Sequence, residues 1–364
     1  MNTPVKNIER KTINVVFPKD SEAIFNNSTR TFGGATVQLY NFAKELCKFH
    51  HVNALINEYD NIDNKEHQGL NILYTFHPGD NIFKKIIKFH STIRLSHPDV
   101  IIQRGLSFFS SFLAIYCRLN KIKYIFMYAH DRESRGRFQR TNRRSFSYPL
   151  LIKFADFLIV QNEYQKKQLP DKVNYKVNKI RNGYIISKNA SPKKEGVLWV
   201  GRLEPWKQPE KFLELAAQVP AVPFTMIAPV VKKYEKYAEE VYIKAGMLNN
   251  VNILKFVNHN EIDHYFKYAK VFINTSCEEG FPNTFIQSCK NHTPIVSLKV
   301  NPDNFINRFN VGFCCDGNSD DLFDKTCKVL YDEKLFESFS LSAYVYAKEN
   351  HSIEQNVKML QGLF

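Results

Sequence analysis

Short apolar runs alternate with longer stretches of helical periodicity along nearly the whole chain. In the first half, runs rich in β-branched and aromatic residues predict strands over Ile13–Phe17, Val52–Asn57, Ile72–Phe76, Asp99–Gln103, Tyr124–Ala129 and Phe157–Gln161. In the second half, the same pattern predicts strands over Val197–Val200, Phe224–Ala228, Val251–Val257, Val271–Thr275, Pro294–Leu298 and Gly312–Cys315. The rhythm therefore occurs twice.

Helical patterns separate most of these runs, for instance over Ala35–Phe49 and Pro209–Val219. Strands that alternate with helices indicate βαβ units and parallel sheets that are buried on both faces. The polar stretch Ile185–Gly196 contains Asn, Ser, Pro and Gly, and we interpret it as a linker. The pattern predicts an α/β protein with two doubly wound domains, whose ligands bind outside the carboxyl ends of the strands.

Length and composition agree with this picture. A chain of 364 residues is long enough for two domains, and 44% hydrophobic residues exclude a disordered chain. The seven cysteines form no CxxC pair, which argues against a disulfide framework or a zinc module and favours a reducing compartment. The polar N-terminus does not resemble a secretory signal, and no apolar run approaches the length of a membrane span. We expect a cytoplasmic protein.

The net charge of +14 is concentrated in the first half of the chain. Residues 1–185 contain 29 Lys/Arg and 15 Asp/Glu, whereas residues 186–364 contain 21 of each. The segment from Arg132 to Arg144 holds six arginines and a single acid, Glu133. Such asymmetry predicts an anionic partner, for which the candidates are anionic lipid, a phosphorylated substrate or nucleic acid.

Two candidate features follow predicted strands of the first half. Gly33 and Gly34 open the helix after Ile13–Phe17, where glycine lets the backbone approach a phosphate and the helix N-terminus offers N–H groups. The alternative is a plain tight turn. His130 ends the run Tyr124–Ala129 and could bind or polarise a substrate, and the alternative is a structural histidine at the surface.

Two further features follow predicted strands of the second half. In VGRLEPWK, Arg202 and Lys207 occupy a strand-to-helix loop, where two cations can hold a diphosphate or be ordinary surface charge. In EEGFPNTFIQ, Glu279 and Gln287 could bind hydroxyl groups while the helix that begins near Pro282 presents N–H groups to an anion. The alternative is a helix stabilised by acidic residues at its N-terminus.

Several common enzyme classes lack their signatures here. The chain has no GxGxxG fingerprint, no Walker A lysine loop and no GxSxG elbow. A plain dehydrogenase, a P-loop NTPase and an α/β-hydrolase are therefore disfavoured.

Taken together, the motifs resemble the retaining glycosyltransferases of family four, which are group-1-type bacterial sugar transferases with the GT-B fold. The resemblance runs through FGGATVQLYNFAKEL, ADFLIVQN and KIRNGY, and it is strongest in VGRLEPWKQPEKFLELA and SCEEGFPNTFIQSCKNHTPIVS. It implies two Rossmann-like domains that face each other across a cleft. The acceptor domain would span residues 1–185 and the nucleotide-sugar domain residues 186–345, with a C-terminal helix in 346–364 crossing back to the first domain.

The resemblance also implies roles for individual residues. Glu279 and His130 would be catalytic. The donor, a UDP- or GDP-sugar, would be bound by Gly33, Gly34, Arg202, Lys207, Val257, Gly280, Phe281, Pro282, Asn283, Thr284 and Gln287. Gln287 departs from the family pattern, which has a second glutamate eight residues after the first, but its carbonyl can still accept hydrogen bonds from ribose hydroxyls. Ala228-Pro229 departs as well, since a glycine pair is usual there.

The family further implies that no metal or other cofactor is needed, because fixed cations and helix amides neutralise the diphosphate. The acceptor would be a saccharide on a polyprenyl diphosphate, used for bacterial surface polysaccharide such as O-antigen or capsule. The protein would then be peripheral at the inner face of the plasma membrane. Arginines would border the acceptor and an anionic membrane: Arg132, Arg135, Arg137, Arg140, Arg143 and Arg144.

Three alternatives remain open from the sequence. A nucleic-acid-binding protein would explain the basic charge, although no module signature supports it and we expect no nucleic acid. A GT-B enzyme of other chemistry, an epimerase or a phosphorylase, would share the donor motifs. A binding-only partner would have lost activity with the second carboxylate.

Overall fold

The structure is a computed structural model, which describes residues 9–25, 33–59, 65–107, 109–134, 144–187 and 192–364. The chain divides into two compact units, Tyr184–Ser352 and a first unit that combines Met1–Gly183 with Ile353–Phe364. The boundary predicted after residue 185 lies two residues from this division. Residues 346–352, which the sequence analysis assigned to the crossing segment, belong to the second unit.

The first unit is built on an eight-stranded sheet with the order β3-β4-β2-β1-β5-β6-β7-β8. Its strands are β1 (Thr12–Val16), β2 (His51–Ile56), β3 (Glu66–His67), β4 (Leu70–Tyr74), β5 (Val100–Arg104), β6 (Lys123–Met127), β7 (Phe157–Val160) and β8 (Val177–Lys179). Every pairing is parallel except that of β3 with β4.

Helices cover both faces of this sheet. They are α1 (Glu22–Phe25), α2 (Gly34–Leu46), α3 (Ile82–Ser96), α4 (Ser110–Leu119), α5 (Asp131–Ser134), α6 (Arg144–Phe154), α7 (Glu163–Lys167) and the last helix of the chain, α15 (Ile353–Gln361). One core cluster joins α2 and α15 to one face of the sheet, and a second joins α3, α4 and α6 to the other face. All five residues of β5 are buried, which explains its continuous apolar pattern.

The second unit repeats this plan around a six-stranded parallel sheet with the order β11-β10-β9-β12-β13-β14. Its strands are β9 (Val197–Val200), β10 (Phe224–Ile227), β11 (Val251–Leu254), β12 (Val271–Asn274), β13 (Ile295–Ser297) and β14 (Gly312–Cys314). Its helices are α8 (Pro209–Gln218), α9 (Glu235–Gly246), α10 (His259–Tyr268), α11 (Asn283–Lys290), α12 (Phe305–Arg308), α13 (Ser319–Tyr331) and α14 (Glu333–Asn350). Two core clusters again lie on the two faces of the sheet.

The twelve strands that the apolar runs predict are all present, most with ends shifted by one or two residues. The sequence analysis missed β3 and β8. The first is a two-residue antiparallel pairing, and the second, Val-Asn-Lys, lies at the sheet edge with all three residues partly exposed. Hydrophobic periodicity cannot reveal strands that bury so little apolar surface.

Each sheet has a point at which the chain reverses its direction of strand addition. In the first unit this point lies between β1 and β5, and in the second it lies between β9 and β12. Loops diverge to opposite faces at such a point and leave a crevice at the carboxyl ends of the strands.

Among the helices of the described residues, none is long and apolar enough to cross a membrane.

Candidate functional site

The switch point of the second unit brings together residues from two separate loops. Arg202 and Lys207 follow β9, and Glu279 follows β12. Because β9 and β12 are adjacent and parallel, their carboxyl ends open at the same edge of the sheet.

An ion pair joins these loops directly. Lys207 Nζ lies 2.6 Å from Glu279 Oε1, and the two side chains are only 15% and 14% exposed. Lys207 Nζ also lies 4.4 Å from the centroid of the Trp206 ring, within the range of a cation–π contact. Partial burial and these two contacts fix the ammonium group in position, as a preorganised electrostatic site requires.

The two oxygens of the Glu279 carboxylate differ in their contacts. Oε1 accepts hydrogen bonds from Lys207 Nζ, from Ser276 Oγ at 2.7 Å and from Asn274 Nδ2 at 3.4 Å. Among the residues that the structure describes, no donor bonds to Oε2. One oxygen therefore anchors the side chain, and the other is available to accept hydrogen bonds from a ligand.

Further hydrogen bonds tie the loop after β9 to the end of β12. Thr275 Oγ1 accepts from Trp199 Nε1 at 2.9 Å and donates to the Lys207 carbonyl at 2.6 Å. The Cys277 N–H donates to the Trp206 carbonyl at 2.9 Å. Lys207 thus lies on a short 3₁₀ turn, Pro205–Lys207, that is held from both strands.

Arg202 lies at the same edge and is partly exposed. Its guanidinium contacts Glu204 Oε2 at 3.2 Å through a single nitrogen. The other guanidinium nitrogens of Arg202 make no hydrogen bond to the residues that the structure describes. Arg202 can therefore bind an anion with most of its five N–H groups.

The segment from Gly280 to Gln287 forms the entry and first turns of α11. Pro282 is the last residue before the helix, close to the start that the sequence predicts, and Asn283 and Thr284 open the helix. Phe281 packs into the core against Phe305 and His351, with ring centroids 5.0 Å away in both cases. Phe281 thus anchors the loop that leads into α11. The N-terminus of a helix is a position at which backbone N–H groups can bind an anion.

Two further residues of this unit, Gln287 and Val257, were predicted to bind the donor sugar nucleotide. Gln287 is buried on α11, and its side-chain amide has no hydrogen-bond partner among the described residues. Val257 follows β11, two strands away from β9, and packs against the core. Nothing in the contacts of Val257 singles it out as a ligand-binding residue.

In the first unit, Gly33 and Gly34 lie where the sequence analysis placed them, at the start of α2 after β1. The backbone there is already bound by an acid that the sequence analysis missed. Asp20 accepts from Gly33 N–H at 2.5 Å and from Thr36 Oγ1 at 2.5 Å. A Cβ atom at Gly33 would lie 3.0 Å from Asp20 Oδ2, so the glycine allows this close approach.

His130 follows β6 and is exposed. Its neighbourhood is rigid, because Glu133 accepts hydrogen bonds from the backbone N–H groups of Leu106 at 2.9 Å and Ala129 at 2.8 Å. Asp131 accepts from Asn162 and Gln165 and so joins α5 to α7. These contacts hold the backbone on both sides of His130 while its ring faces solvent.

Two buried tyrosines lie beneath this loop. The hydroxyls of Tyr128 and Tyr148 are 2.8 Å apart. Burial raises the pKa of Tyr148 to about 12 and raises the pKa of Tyr128 further. Both side chains are therefore neutral hydrogen-bonding groups.

The predicted arginine segment falls mostly outside the described residues, which exclude Arg135, Arg137, Arg140 and Arg143. The backbones of Arg132 and Arg144 belong to α5 and α6. No group of three His, Cys, Asp or Glu side chains that could hold a metal ion occurs within the described part of the chain.

Comparison with known proteins gives a family match for the second unit and a fold match for the chain. Residues 184–345 match the family model of glycosyl transferases group 1. The match covers somewhat less than half of the chain and nearly all of the second unit. No curated protein sequence matches the chain.

Solved structures match over the whole chain. Anabaena Alr3699/HepE in complex with UDP-glucose is 17% identical with a TM-score of 0.76, over 98% of this chain and 100% of that one. Sucrose-phosphate synthase from Thermosynechococcus elongatus is 16% identical with a TM-score of 0.76, over 97% and 98%. WaaG, a glycosyltransferase involved in lipopolysaccharide biosynthesis, is 13% identical with a TM-score of 0.63, over 97% and 99%.

These findings confirm the resemblance that the sequence motifs indicated. Residues 184–345 match the group 1 glycosyl transferases, and the two Rossmann-like units have the GT-B fold.

Proposed function

We propose that this glycosyltransferase moves a sugar from a UDP- or GDP-sugar to an acceptor, and that the second unit binds the donor. The observation that carries the proposal is the fixed Lys207–Glu279 pair at the switch point, on the two loops that also contain Arg202 and lead into α11. Two cations, a helix N-terminus and one available carboxylate oxygen suit a ligand that combines a diphosphate with sugar hydroxyls.

The proposed chemistry depends on the leaving group. When the bond between the sugar and the diphosphate breaks, negative charge builds on the diphosphate. Arg202, Lys207 and the amides at the start of α11 would stabilise that charge more strongly in the transition state than in the ground state. The rate gain would come from this difference.

Glu279 and Gln287 would select the rest of the donor. Glu279 Oε2 would accept hydrogen bonds from sugar hydroxyls, since Oε1 is already occupied by three donors. Gln287 is buried and its amide lacks a partner among the described residues, which suits a role in binding ribose hydroxyls. Its amide cannot act as a base, so the mechanism that we propose uses no second carboxylate.

His130 and Gly34 would act from the first unit. An exposed histidine on a loop fixed by Glu133 suits contact with the donor sugar. We propose that the sugar keeps its anomeric configuration, in line with the family resemblance. We also propose that turnover needs no divalent metal, because the charges of Arg202 and Lys207 take its place.

For the acceptor, we propose a saccharide carried on a polyprenyl diphosphate, used for bacterial surface polysaccharide at the inner face of the plasma membrane. The excess of basic residues in the first half of the chain supports an acceptor with an anionic anchor. WaaG, which has a similar fold, is involved in lipopolysaccharide biosynthesis, and we propose the same class of pathway for this chain.

Thermal melting with UDP, GDP, ADP and CDP, each in EDTA, tests the donor site. A ligand at one hundred times its Kd adds about 2.7 kcal/mol of stability, enough to raise the midpoint by a few degrees. We expect UDP or GDP to raise it. Failure of all four nucleotides in EDTA, with or without recovery on adding manganese, would contradict the metal-free site.

A matched pair of variants makes this test specific. Lys207→Met should abolish the shift, whereas Lys211→Met should keep it. Lys211 pairs with the exposed Glu214 on α8 and lies outside the proposed site. Equal loss in both variants would indicate a general effect of charge.

A further inference from the structure

Helix α3 presents an apolar stripe to solvent. Its buried face, which includes Phe89 and Ile93, packs on the sheet. On the opposite face, Phe83 is 75% exposed and Ile87 is 68% exposed. His90 and Arg94 continue the same stripe, at the spacing of residues that share one side of a helix.

A second stripe lies on the neighbouring helix α4. Phe112, Tyr116 and Leu119 are spaced by four and three residues and share one side of that helix. Leu119 is 77% exposed and Phe112 is also exposed. The rings of His90 and Tyr116 are in contact, with centroids 5.4 Å apart, so the two stripes meet. We call Phe83, Ile87, His90, Phe112, Tyr116 and Leu119 the α3–α4 face.

Positive charge predominates around this face. Residues 81–130 contain a single acid, Asp99, whose carboxylate accepts from the Thr12 N–H. The same residues contain eight basic side chains, of which only Arg104 is buried. Lys84 and Lys88 are paired with Asp80 at the start of α3, and Lys88 also with Glu58. Among the residues that the structure describes, Arg94, Arg118 and Lys121 have no acidic partner.

We propose that the α3–α4 face docks on an anionic lipid bilayer, with Phe83, Ile87 and Leu119 inserted among the acyl chains and the surrounding cations at the headgroups. Exposed aromatic and aliphatic side chains ringed by Lys and Arg match the two layers of a bilayer surface. The face is formed by described residues, none of which belongs to the segment Arg132–Arg144, and the inference rests on the membrane location given under the proposed function.

A second copy of this chain fits the face less well. A symmetric dimer would place the same patch on both sides of the interface, so each copy would bring its cations against those of the other. Like charges brought together at an interface oppose association. An anionic surface removes this conflict.

Vesicle binding by the full-length protein tests the proposal. We expect binding to vesicles of phosphatidylcholine with phosphatidylglycerol, with weaker binding at high salt and on phosphatidylcholine alone. The double variant Phe83→Ser/Ile87→Ser should bind roughly tenfold more weakly or worse, because it removes two apolar side chains that would enter the acyl-chain layer. Both positions are exposed in the free protein, so its thermal midpoint should stay close to that of the wild type.

The matched control is Ile243→Ser/Met247→Ser, which changes two exposed apolar residues of α9 in the second unit. It should bind vesicles as the wild type does. A tryptophan probe reports insertion directly: Phe83→Trp fluorescence should be quenched by brominated lipid, and that of Met247→Trp should not.

Wild-type vesicle binding by the Phe83→Ser/Ile87→Ser variant would overturn the proposal. So would loss of binding only in Arg135→Gln/Arg137→Gln/Arg140→Gln, which would move the contact to the arginine segment. A wild-type dimer that the Phe83 and Ile87 changes make monomeric, without vesicle binding, would assign the face to a second copy. Nucleotide binding is measured separately, so either proposal can fail without the other.

Discussion

At the residue scale, replacing Lys207 and replacing Glu279 should have different effects on turnover, nucleotide affinity and stability. Lys207→Met removes the cation and leaves a mostly buried carboxylate without its main partner. We expect kcat to fall about 10²–10³-fold and the free energy of unfolding to fall by about 1–3 kcal/mol. Steady-state kinetics and denaturant unfolding measure the two effects.

The reciprocal change separates binding from turnover. Glu279→Gln keeps an oxygen that can accept from Ser276 but no longer neutralises Lys207. The affinity for the nucleoside diphosphate should therefore hold or rise while kcat falls. A parallel loss of both would show that Glu279 holds the site together and does not act on the sugar.

Arg202 should act mainly on the rate, since its contacts with the protein are few. Arg202→Ala should lower kcat/KM by roughly two orders of magnitude, or about 3 kcal/mol, through the lost contact to the leaving group. The thermal midpoint should barely change. Arg308→Ala is the control, because Arg308 is an exposed arginine on α12 whose guanidinium contacts the Asp303 carbonyl and the Phe309 ring, outside the proposed site. Near-normal turnover of Arg202→Ala would refute the role.

The sequence indicated these candidate residues because they follow predicted strands, in short motifs that resemble those of a known family. It could not predict what holds them. Ser276 and Asn274 bind Glu279 only because β12 ends in that geometry. Asp20 reaches Gly33 across thirteen residues, and a lone acid after a strand gives no signal of its partner. Long-range polar pairing depends on the folded backbone, which hydrophobic periodicity does not encode.

At the scale of single elements, the carboxyl end of α10 is closed by a buried lysine from the end of the linker. Lys194 Nζ donates to the carbonyls of Lys267 at 2.8 Å and Phe266 at 3.2 Å, and to Thr293 Oγ1 at 2.9 Å. Lys194→Met should lower the free energy of unfolding by about 1–3 kcal/mol, because it leaves buried acceptors unpaired. Denaturant unfolding measures this change.

The control for this prediction is Lys193→Met, next to it and exposed. It should unfold as the wild type does. An equal free energy of unfolding for the two variants would mean that water replaces the Lys194 ammonium group as the hydrogen-bond donor to the α10 carbonyls.

The docking of α15 should depend on pH through His50. The Lys11 N–H donates to His50 Nδ1, and Gln361 and Phe364 contact its ring. Burial, together with the nearby Lys11 and His51, lowers the pKa of His50 below its usual value of 6.5. The unfolded chain then binds a proton more readily than the folded one, so stability falls as the pH drops below 6.5.

Thermal melting between neutral and mildly acidic pH checks this expectation. His50→Gln should remove part of the slope, whereas the exposed His51→Gln should leave it unchanged. A slope that both variants keep would assign the acid sensitivity to other groups.

At the scale of the whole molecule, the two units should differ in their ability to fold without the rest of the chain. The second unit is continuous in sequence and has its own core, so a fragment of residues 184–352 should fold alone. A chain that stops at residue 352 should lose the stability of the first unit, because Ile353, Val357 and Leu360 belong to that core. Circular dichroism and thermal melting of the two fragments measure this.

A cooperative transition of the truncated first unit at its wild-type temperature would contradict the prediction.

The fold itself was largely predictable, since parallel sheets buried on both faces leave long apolar runs at regular spacing. The return of α15 to the first unit was expected only from the family resemblance. An amphipathic helix does not specify which of two cores it joins.

The discontinuity of the first unit also bears on its synthesis. A ribosome completes the whole of residues 184–352 before it makes the helix that finishes the first core. The nascent first unit therefore waits with an uncovered apolar groove on α2, while the later-made unit is already able to fold. Chaperones that shield apolar surface during translation should matter more for the N-terminal half of this protein than for the half made after it.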